Sequence, residues 1–117
     1  MLDKKGISMN SKEFVELFYK EKNNLLKIYF DSLEDTEVGL NIKRLKLEED
    51  EIETMKNIID NVITDTMYTI LLGLDGSASI GDLQQMYELY DENGSNLTIS
   101  GEIEEYAYEY FQEKEKE

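Results

Sequence analysis

The 117-residue chain carries 27 acidic and 12 basic residues, a net charge of −15, with no histidine and no cysteine. A hydrophobic fraction of 40% is typical of a globular protein and too high for a disordered acidic chain. This composition excludes disulfides, zinc sites built from Cys or His, and catalysis by those two residues, and its negative field opposes binding to nucleic acid or anionic lipid.

The expected organisation is one globular domain with short extensions. We predict a flexible leader over residues 1–9, the domain over residues 10–113 and a charged tail over residues 114–117. No apolar run approaches the ~18 residues of a membrane span, and no signal-peptide pattern is seen near the start. A cytoplasmic location is therefore expected, with no membrane partner.

The first element is an amphipathic helix over about residues 11–31, where apolar residues from Phe14 to Tyr29 recur at helical spacing. Asn10 or Ser11 can cap it, and Glu13 completes a capping-box pattern with Asn10. Charged side chains are expected on its outer face: Lys12, Lys20, Glu21, Lys22 and Lys27.

The next element is predicted to be a strand with a bulge, after a polar link at residues 31–37. Apolar residues alternate here with one slip: Val38, Leu40, Ile42, Leu45 and Leu47. The densest basic cluster of the chain, Lys43, Arg44 and Lys46, lies in the same span. We interpret it as a charged edge that blocks strand pairing between chains, or as an internal neighbour of the acidic half. Exposed apolar surface on this strand would favour a homodimer.

A second helix is predicted from Glu48 to Gly73. It begins with four acidic residues, which a helix N-terminus favours, and the glycine is a natural C-terminal stop. Near its end, from Met67 to Leu74, it is apolar nearly all round. That pattern indicates a segment covered on several sides, at the centre of the core.

Residues 82–99 fit either a helix or a hairpin, and we favour the hairpin. In it, Tyr87 and Leu89 would pair with Leu97 and Ile99 around a turn at residues 91–94. Ser100 would then cap a last helix. The predicted fold class is α+β and helix-dominated, with about three amphipathic helices and a small antiparallel strand or hairpin element. An all-α bundle is the alternative.

The same loop contains the one pattern that could bind a metal. In an EF-hand-like calcium loop, four oxygen-bearing residues would fall on ligand positions: Asp91, Asn93, Ser95 and Glu102. Asn96 stands where that loop needs glycine, and Gly94 comes two places early. We therefore predict a structural turn with no metal or cofactor, and keep a divalent-cation-binding module as an alternative function.

Enzymatic activity is not expected. The commonest general base and the commonest soft nucleophile are absent from the chain. A pair of carboxylates could still hydrolyse glycosides, but no spacing among the many acids selects a pair.

The last helix is the candidate working surface. Residues 57–113 contain twelve acids and no lysine or arginine. Tyr106, Tyr108 and Tyr110 span about 200° of helical arc, so Tyr108 should point to solvent among carboxylates. An exposed aromatic ring rimmed by acids has the composition of a binding hot spot for a basic, arginine-rich protein. The predicted partner-binding residues are Glu102, Glu105, Tyr108 and Glu109.

Residues 68–76, 80–81, 87–94 and 101–102 together resemble the small acidic proteins of Gram-positive bacteria, among them immunity proteins that protect cells from their own toxins. The resemblance covers about half of the chain and transfers no functional residue. It implies a non-enzymatic protein that caps the basic active site of a toxin. The predicted function is thus an acidic, immunity- or inhibitor-like binding module, with a housekeeping domain as a further alternative.

Overall fold

The computed structural model describes residues 9–99 and 101–113, which are predominantly helical. The helices are α1 (Ser11–Asp31), α2 (Glu37–Arg44), α3 (Glu49–Leu74) and α4 (Glu102–Tyr108), and α4 continues into one π-helical turn, Glu109–Glu113. Helical residues make up 64% of the described chain, and that part contains no sheet. The helix-dominated prediction is confirmed, and the all-helical alternative fits these elements. The expected charged tail and residues 1–8 of the expected leader lie outside the described residues.

Contacts divide the chain into two compact units. Unit 1 comprises Met1–Tyr19 and Asp65–Glu117, and therefore holds the start of α1, the end of α3 and all that follows. Unit 2 comprises Lys20–Thr64, with the rest of α1, all of α2 and the start of α3.

The starts of α1 and α3 follow directly from their sequences. The backbone N–H of Glu13 donates to Oδ1 of Asn10 at 2.8 Å, and the N–H of Asn10 donates to Oε1 of Glu13 at 3.0 Å. These two bonds form the predicted capping box. At α3, the N–H of Glu48 likewise donates to Oε1 of Glu51 at 2.8 Å. Both predicted helices are confirmed.

The predicted strand over residues 38–47 is wrong, because residues 37–44 form helix α2. Thr36 caps this helix: its Oγ1 accepts from the N–H of Gly39 at 2.9 Å. Val38, Ile42 and Leu45 are spaced i, i+4, i+7, so the run that alternates like a strand also fits one helical face.

Unit 1 packs around one hydrophobic cluster contributed by α1, α3, the loop after α3 and the C-terminal helical segment. Its buried members are Val15, Leu71, Leu97, Ile103, Ala107, Tyr110 and Phe111. The ring of Tyr19 packs edge-on against Tyr110 and Phe111, with centroids 5.6 and 5.7 Å apart. This cluster fixes α4 and its π-helical turn in place.

The end of α3 is covered on more than one side, which agrees with its predicted burial. Leu71 is fully buried, and Met67 and Tyr68 pack against the cluster. Gly73, about 200° around the helix from Leu71, is buried against the side chain of Ile80. Ile70 is the exception, because it is 41% exposed.

The segment between α3 and α4 is irregular. Residues 82–99 include no helix, and the predicted strand pair is not shown there. One isolated antiparallel bridge joins Tyr90 and Asn96, and the N–H of Leu97 donates to the carbonyl of Leu89 at 2.7 Å. The chain reverses around residues 91–94 without forming strands.

Unit 2 has a small interior that contains a buried charge. Its buried hydrophobic side chains are Leu26 and Ile42. Lys22, predicted on the outer face of α1, is only 1% exposed, so that prediction is wrong. Its Nζ lies 2.9 Å from Oδ1 of Asp60 and donates to Oγ1 of Thr64 at 3.2 Å. Seven residues after Val15 and four before Leu26, Lys22 falls on the inward stripe of α1.

Candidate protein-binding surface

The solvent side of the C-terminal helical segment brings together the predicted partner-binding residues. Ile103 and Ala107 are fully buried and Tyr110 is 9% exposed, at spacing i, i+4, i+7. Because this stripe faces the core, the opposite side of the segment faces solvent. We call the set of predicted residues on the segment the α4 face: Glu102, Glu105, Tyr108 and Glu109.

Exposure differs among the three alternating tyrosines, as the sequence predicted. Tyr108 is 48% exposed, Tyr106 is half-buried and Tyr110 is buried. Glu102 and Glu105 are exposed, and Glu109 is half-buried. The α4 face therefore offers an accessible aromatic ring on the same short segment as three carboxylates.

The start of α4 is held from another part of the chain. Its N-cap residue, Gly101, has φ of 72° and no side chain with which to cap. Instead, Oδ2 of Asp75 accepts a hydrogen bond from the N–H of Glu104 at 2.9 Å. A carboxylate at this position satisfies one of the free N–H groups of the first turn and complements the helix dipole.

Asp75 itself is nearly enclosed. The residue is 7% exposed, and its Oδ1 is buried with no hydrogen-bond partner within the described chain. Burial raises the pKa of the Asp75 carboxyl, and the nearby charge of Glu104 raises it further, while the hydrogen bond from the Glu104 N–H opposes both.

Almost all charged side chains of unit 1 are acidic. The described residues of this unit include one basic side chain, Lys12. They include thirteen acidic ones: Glu13, Glu16, Asp65, Asp75, Asp82, Glu88, Asp91, Glu92, Glu102, Glu104, Glu105, Glu109 and Glu113. Burial first, and then the charges of Glu104 and Tyr108, raise the pKa of the Tyr68 hydroxyl. The negative charge in the first turn of α4 therefore acts on Tyr68, a residue of α3.

The π-helical turn that follows Tyr108 is tied to α1. The hydroxyl of Tyr110 donates to Oε2 of Glu16, and this bond, together with burial, raises the pKa of Tyr110 to about 12. A hydrogen bond to a carboxylate is stronger than one between neutral groups. The bond thus helps to anchor the segment that carries the α4 face.

Asp91, the first residue of the calcium-loop pattern, uses its carboxylate to bind backbone N–H groups. Oδ1 of Asp91 accepts from the N–H groups of Asn93 (2.9 Å) and Ser95 (2.8 Å), and Oδ2 accepts from the N–H of Met9 (2.8 Å). These donors, the N–H of Met9 first, lower the pKa of the Asp91 carboxyl. Both carboxylate oxygens therefore bind the backbone, as in an Asx turn. Glu102, the fourth residue of the pattern, lies in the first turn of α4.

No cluster of three or more carboxylate, His or Cys side chains that could hold a metal is present among the described residues. Within the same residues, no helix combines the length and the apolar character that crossing a bilayer requires.

Known proteins do not supply a family for this chain. No family model matches it, and no curated protein or solved structure is significantly similar to it.

The sequence analysis missed one feature of the site. It predicts Ser100, which lies outside the described residues, as the cap of the last helix. In the structure Asp75, two residues beyond the predicted end of the second helix, caps α4. Gly101 was the available signal, because a helix that starts at glycine has no side-chain cap of its own and needs one from elsewhere.

Proposed function

We propose that the protein is a non-enzymatic binding module whose α4 face engages a basic, arginine-rich protein. The observation that carries the proposal is the half-exposed ring of Tyr108 within a unit whose described residues hold thirteen acids and one lysine. Such a surface attracts basic partners over long range, and repels nucleic acid and anionic membranes.

The chemistry of the α4 face favours arginine over lysine. A guanidinium group can stack flat on the exposed ring of Tyr108 while its N–H groups bind a carboxylate in a bidentate manner. Glu105 and Glu109 are i−3 and i+1 to Tyr108, and Glu102 lies about one turn further towards the N-terminus. An ammonium group offers neither the stacking nor the paired donors.

The biological role that we propose for this module is that of an immunity or inhibitor protein. A stably folded acidic surface that covers the basic active site of a toxin or nuclease acts by occupying it, and needs no catalytic group. We place the module in the cytoplasm as part of the same proposal, because a chain without cysteine needs no oxidising compartment.

Fluorescence anisotropy of a labelled arginine-rich peptide tests the proposal. Binding to the full chain is compared at about 50 and about 500 mM salt, between which the Debye length falls from ~14 to ~4 Å. We expect affinity to drop by at least ~10-fold across that range. A lysine peptide of equal length should bind more weakly, and a glutamate peptide should not bind.

Substitutions then locate the binding surface. Tyr108→Ala should weaken binding of the arginine peptide by about 5-fold or more, because a cation–π contact contributes ~1 kcal/mol, while Tyr108→Phe retains the ring and the affinity. Tyr90→Ala is the matched control, since Tyr90 is 52% exposed but lies outside α4. Absence of binding at low salt, or equal loss with both alanine variants, would reject the α4 face as the binding site.

A further inference from the structure

Few apolar side chains of unit 2 are fully buried, and most of the others are half-buried. Among its residues, which are all described, Leu26 and Ile42 are the buried hydrophobic side chains, and one further interior position is taken by Lys22. Several large apolar side chains are instead half exposed or more: Ile28 (50%), Leu45 (56%), Ile58 (50%) and Val62 (57%). A segment of this size rarely gains enough from so small an interior, and association between chains is one way to supply the missing burial.

One of these exposed side chains, Leu45, borders a groove formed by α2 and α3. It has a volume of about 500 Å³ and is lined by Val38, Asn41, Ile42, Arg44, Leu45, Met55 and Ile59. Met55 also lines a neighbouring depression of about 220 Å³, together with Leu47, Asp50, Glu51, Thr54 and Ile58. We call the two together the α2/α3 groove. Its floor is aliphatic, as the core of a stable interface is.

The two parts of the α2/α3 groove are lined by opposite charges. The basic cluster of the chain, Lys43, Arg44 and Lys46, lies at the end of α2, and four acids begin α3 at residues 48–51. Arg44 lines one part of the groove, and Asp50 lines the other. A purely basic partner would meet Arg44, and a purely acidic one would meet Asp50.

A second copy of the same surface offers an opposite charge to both parts of the groove. Around a two-fold axis, any residue that contacts a given position on the partner is contacted by its counterpart in return. Arg44 of each copy can therefore face Asp50 of the other, with the aliphatic floors in contact. The groove is self-complementary in charge, unlike the surface of unit 1.

We propose that the α2/α3 groove is the interface of a homodimer of this protein. The dimer buries Leu45 and Ile58 against the partner and sets Arg44 of each copy opposite Asp50 of the other. A specific dimer of ordinary size buries about 800 Å² on each copy, which extends the contact beyond the groove along α2 and the start of α3.

Sedimentation velocity of the full chain, from about 1 to about 500 μM, tests the dimer, because a dimer with a micromolar dissociation constant dissociates within this range. We expect a reversible monomer–dimer equilibrium. Leu45→Asp and Ile58→Asp should each raise the dimer dissociation constant by ~100-fold or more, because each would bury an unpaired carboxylate. Both positions are exposed in the monomer, so circular dichroism should show an unchanged fold. Ile99→Asp is the control: Ile99 is 78% exposed and lies in unit 1, so the dimer should persist.

A mixing experiment tests the paired charges. Arg44→Asp and Asp50→Arg should each self-associate poorly, since each places like charges opposite one another twice. An equimolar mixture of the two variants should form a heterodimer in which both contacts are again Arg opposite Asp. Recovery on mixing supports the two-fold arrangement, and no recovery overturns it.

Two further results would overturn the proposal. One is a chain that remains monomeric over the whole concentration range, and the other is a dimer that Ile99→Asp disrupts while Leu45→Asp and Ile58→Asp do not. The arginine-peptide affinity of the α4 face should be unchanged in Leu45→Asp, so failure of either proposal leaves the other standing.

Discussion

The backbone N–H of Glu104 donates a 2.9 Å hydrogen bond to Oδ2 of Asp75, a residue 29 positions earlier in the chain. This bond replaces the side-chain cap that Gly101 lacks. It also forces the Asp75 carboxyl into a nearly enclosed site where Oδ1 has no hydrogen-bond partner among the described residues. The position of α4, and with it the α4 face, thus depends on a carboxylate that would be better solvated elsewhere.

We expect Asp75→Asn to be more stable than the parent protein at pH 7. The pKa of Asp75 is raised in the folded state. The protonated carboxyl therefore contributes its full stabilisation below the unfolded-state pKa of ~3.9. That stabilisation is lost as the pH rises through the folded-state pKa. Asparagine keeps an oxygen acceptor for the Glu104 N–H and removes the buried charge. Denaturant unfolding at pH 7 and pH 3 should show an advantage of asparagine that shrinks at the lower pH.

Asp75→Ala is the companion to that variant. It removes the acceptor along with the charge, and loss of a cap typically costs about 1 kcal/mol. The Asp75→Ala variant should therefore be less stable than the Asp75→Asn variant at both pH values. An asparagine variant that is less stable than the parent protein at pH 7 would show that the ionised carboxylate is a net stabiliser.

Tyr110→Phe should lower the free energy of unfolding by about 1–3 kcal/mol at neutral pH, because it removes the hydrogen bond to the Glu16 carboxylate. The pKa of Tyr110 in the folded state is about 12, above the value of ~10 for an unfolded chain. The stabilisation is therefore fully present below pH ~10 and is lost as the pH rises through 12. Chemical denaturation at pH 7, 10 and 11.5 measures it. Tyr90→Phe, at an exposed position, should change stability by less than ~0.5 kcal/mol.

Gly39→Ala should destabilise the protein by about 1–3 kcal/mol through steric overlap. A Cβ at this position would lie 2.3 Å from the backbone carbonyl oxygen of Leu33, which cannot move without displacing the α1–α2 link. Gly81→Ala is the matched control: its Cβ meets nothing within 4 Å, and only the left-handed backbone (φ 60°) opposes it, at about 1 kcal/mol. Thermal unfolding should rank Gly39→Ala below Gly81→Ala, and the reverse order would show that the segment around Leu33 yields easily.

Lys22→Met should lower the free energy of unfolding by about 1–3 kcal/mol, because it removes the partner of Asp60 and a donor to Thr64. The side chain of Asp60 is 32% exposed and can regain some hydration, which limits the loss. Combining Lys22→Met with Asp60→Asn should cost less than the sum of the two single changes. Lys27→Met, at an exposed position on the same helix, should be nearly neutral.

Elements with a long periodic pattern and a local cap could be predicted from the sequence. The capping box of Asn10 and Glu13 marked the start of α1, and the acids at residues 48–51 marked that of α3. Both signals act within one helical turn, so no knowledge of the tertiary fold is needed to interpret them.

Shorter elements could not be predicted in this way. Over residues 38–47 the apolar positions fit both a strand period and a helical period, and the slip between Ile42 and Leu45 is also typical of a β-bulge. Thr36 before Glu37 was the signal that could have decided for a helix, because its hydroxyl caps the first turn.

The exposure of the α4 face could be predicted from the sequence, whereas the contacts that support α4 could not. The exposure of Tyr108 follows from helical geometry alone, whereas the cap from Asp75 and the bond between Tyr110 and Glu16 join distant parts of the chain. Long-range polar contacts of this kind leave no periodic trace in a sequence.

The enclosure of Lys22 makes this lysine a built-in reporter of local opening. Its side chain is 1% exposed, while Lys20 and Lys27 on the same helix are exposed. An amine-reactive reagent applied under native conditions should therefore modify those two quickly and Lys22 only when α1 separates from Asp60 and Thr64. The modification rate of Lys22, followed by mass spectrometry, would measure how often unit 2 opens, without any engineered probe.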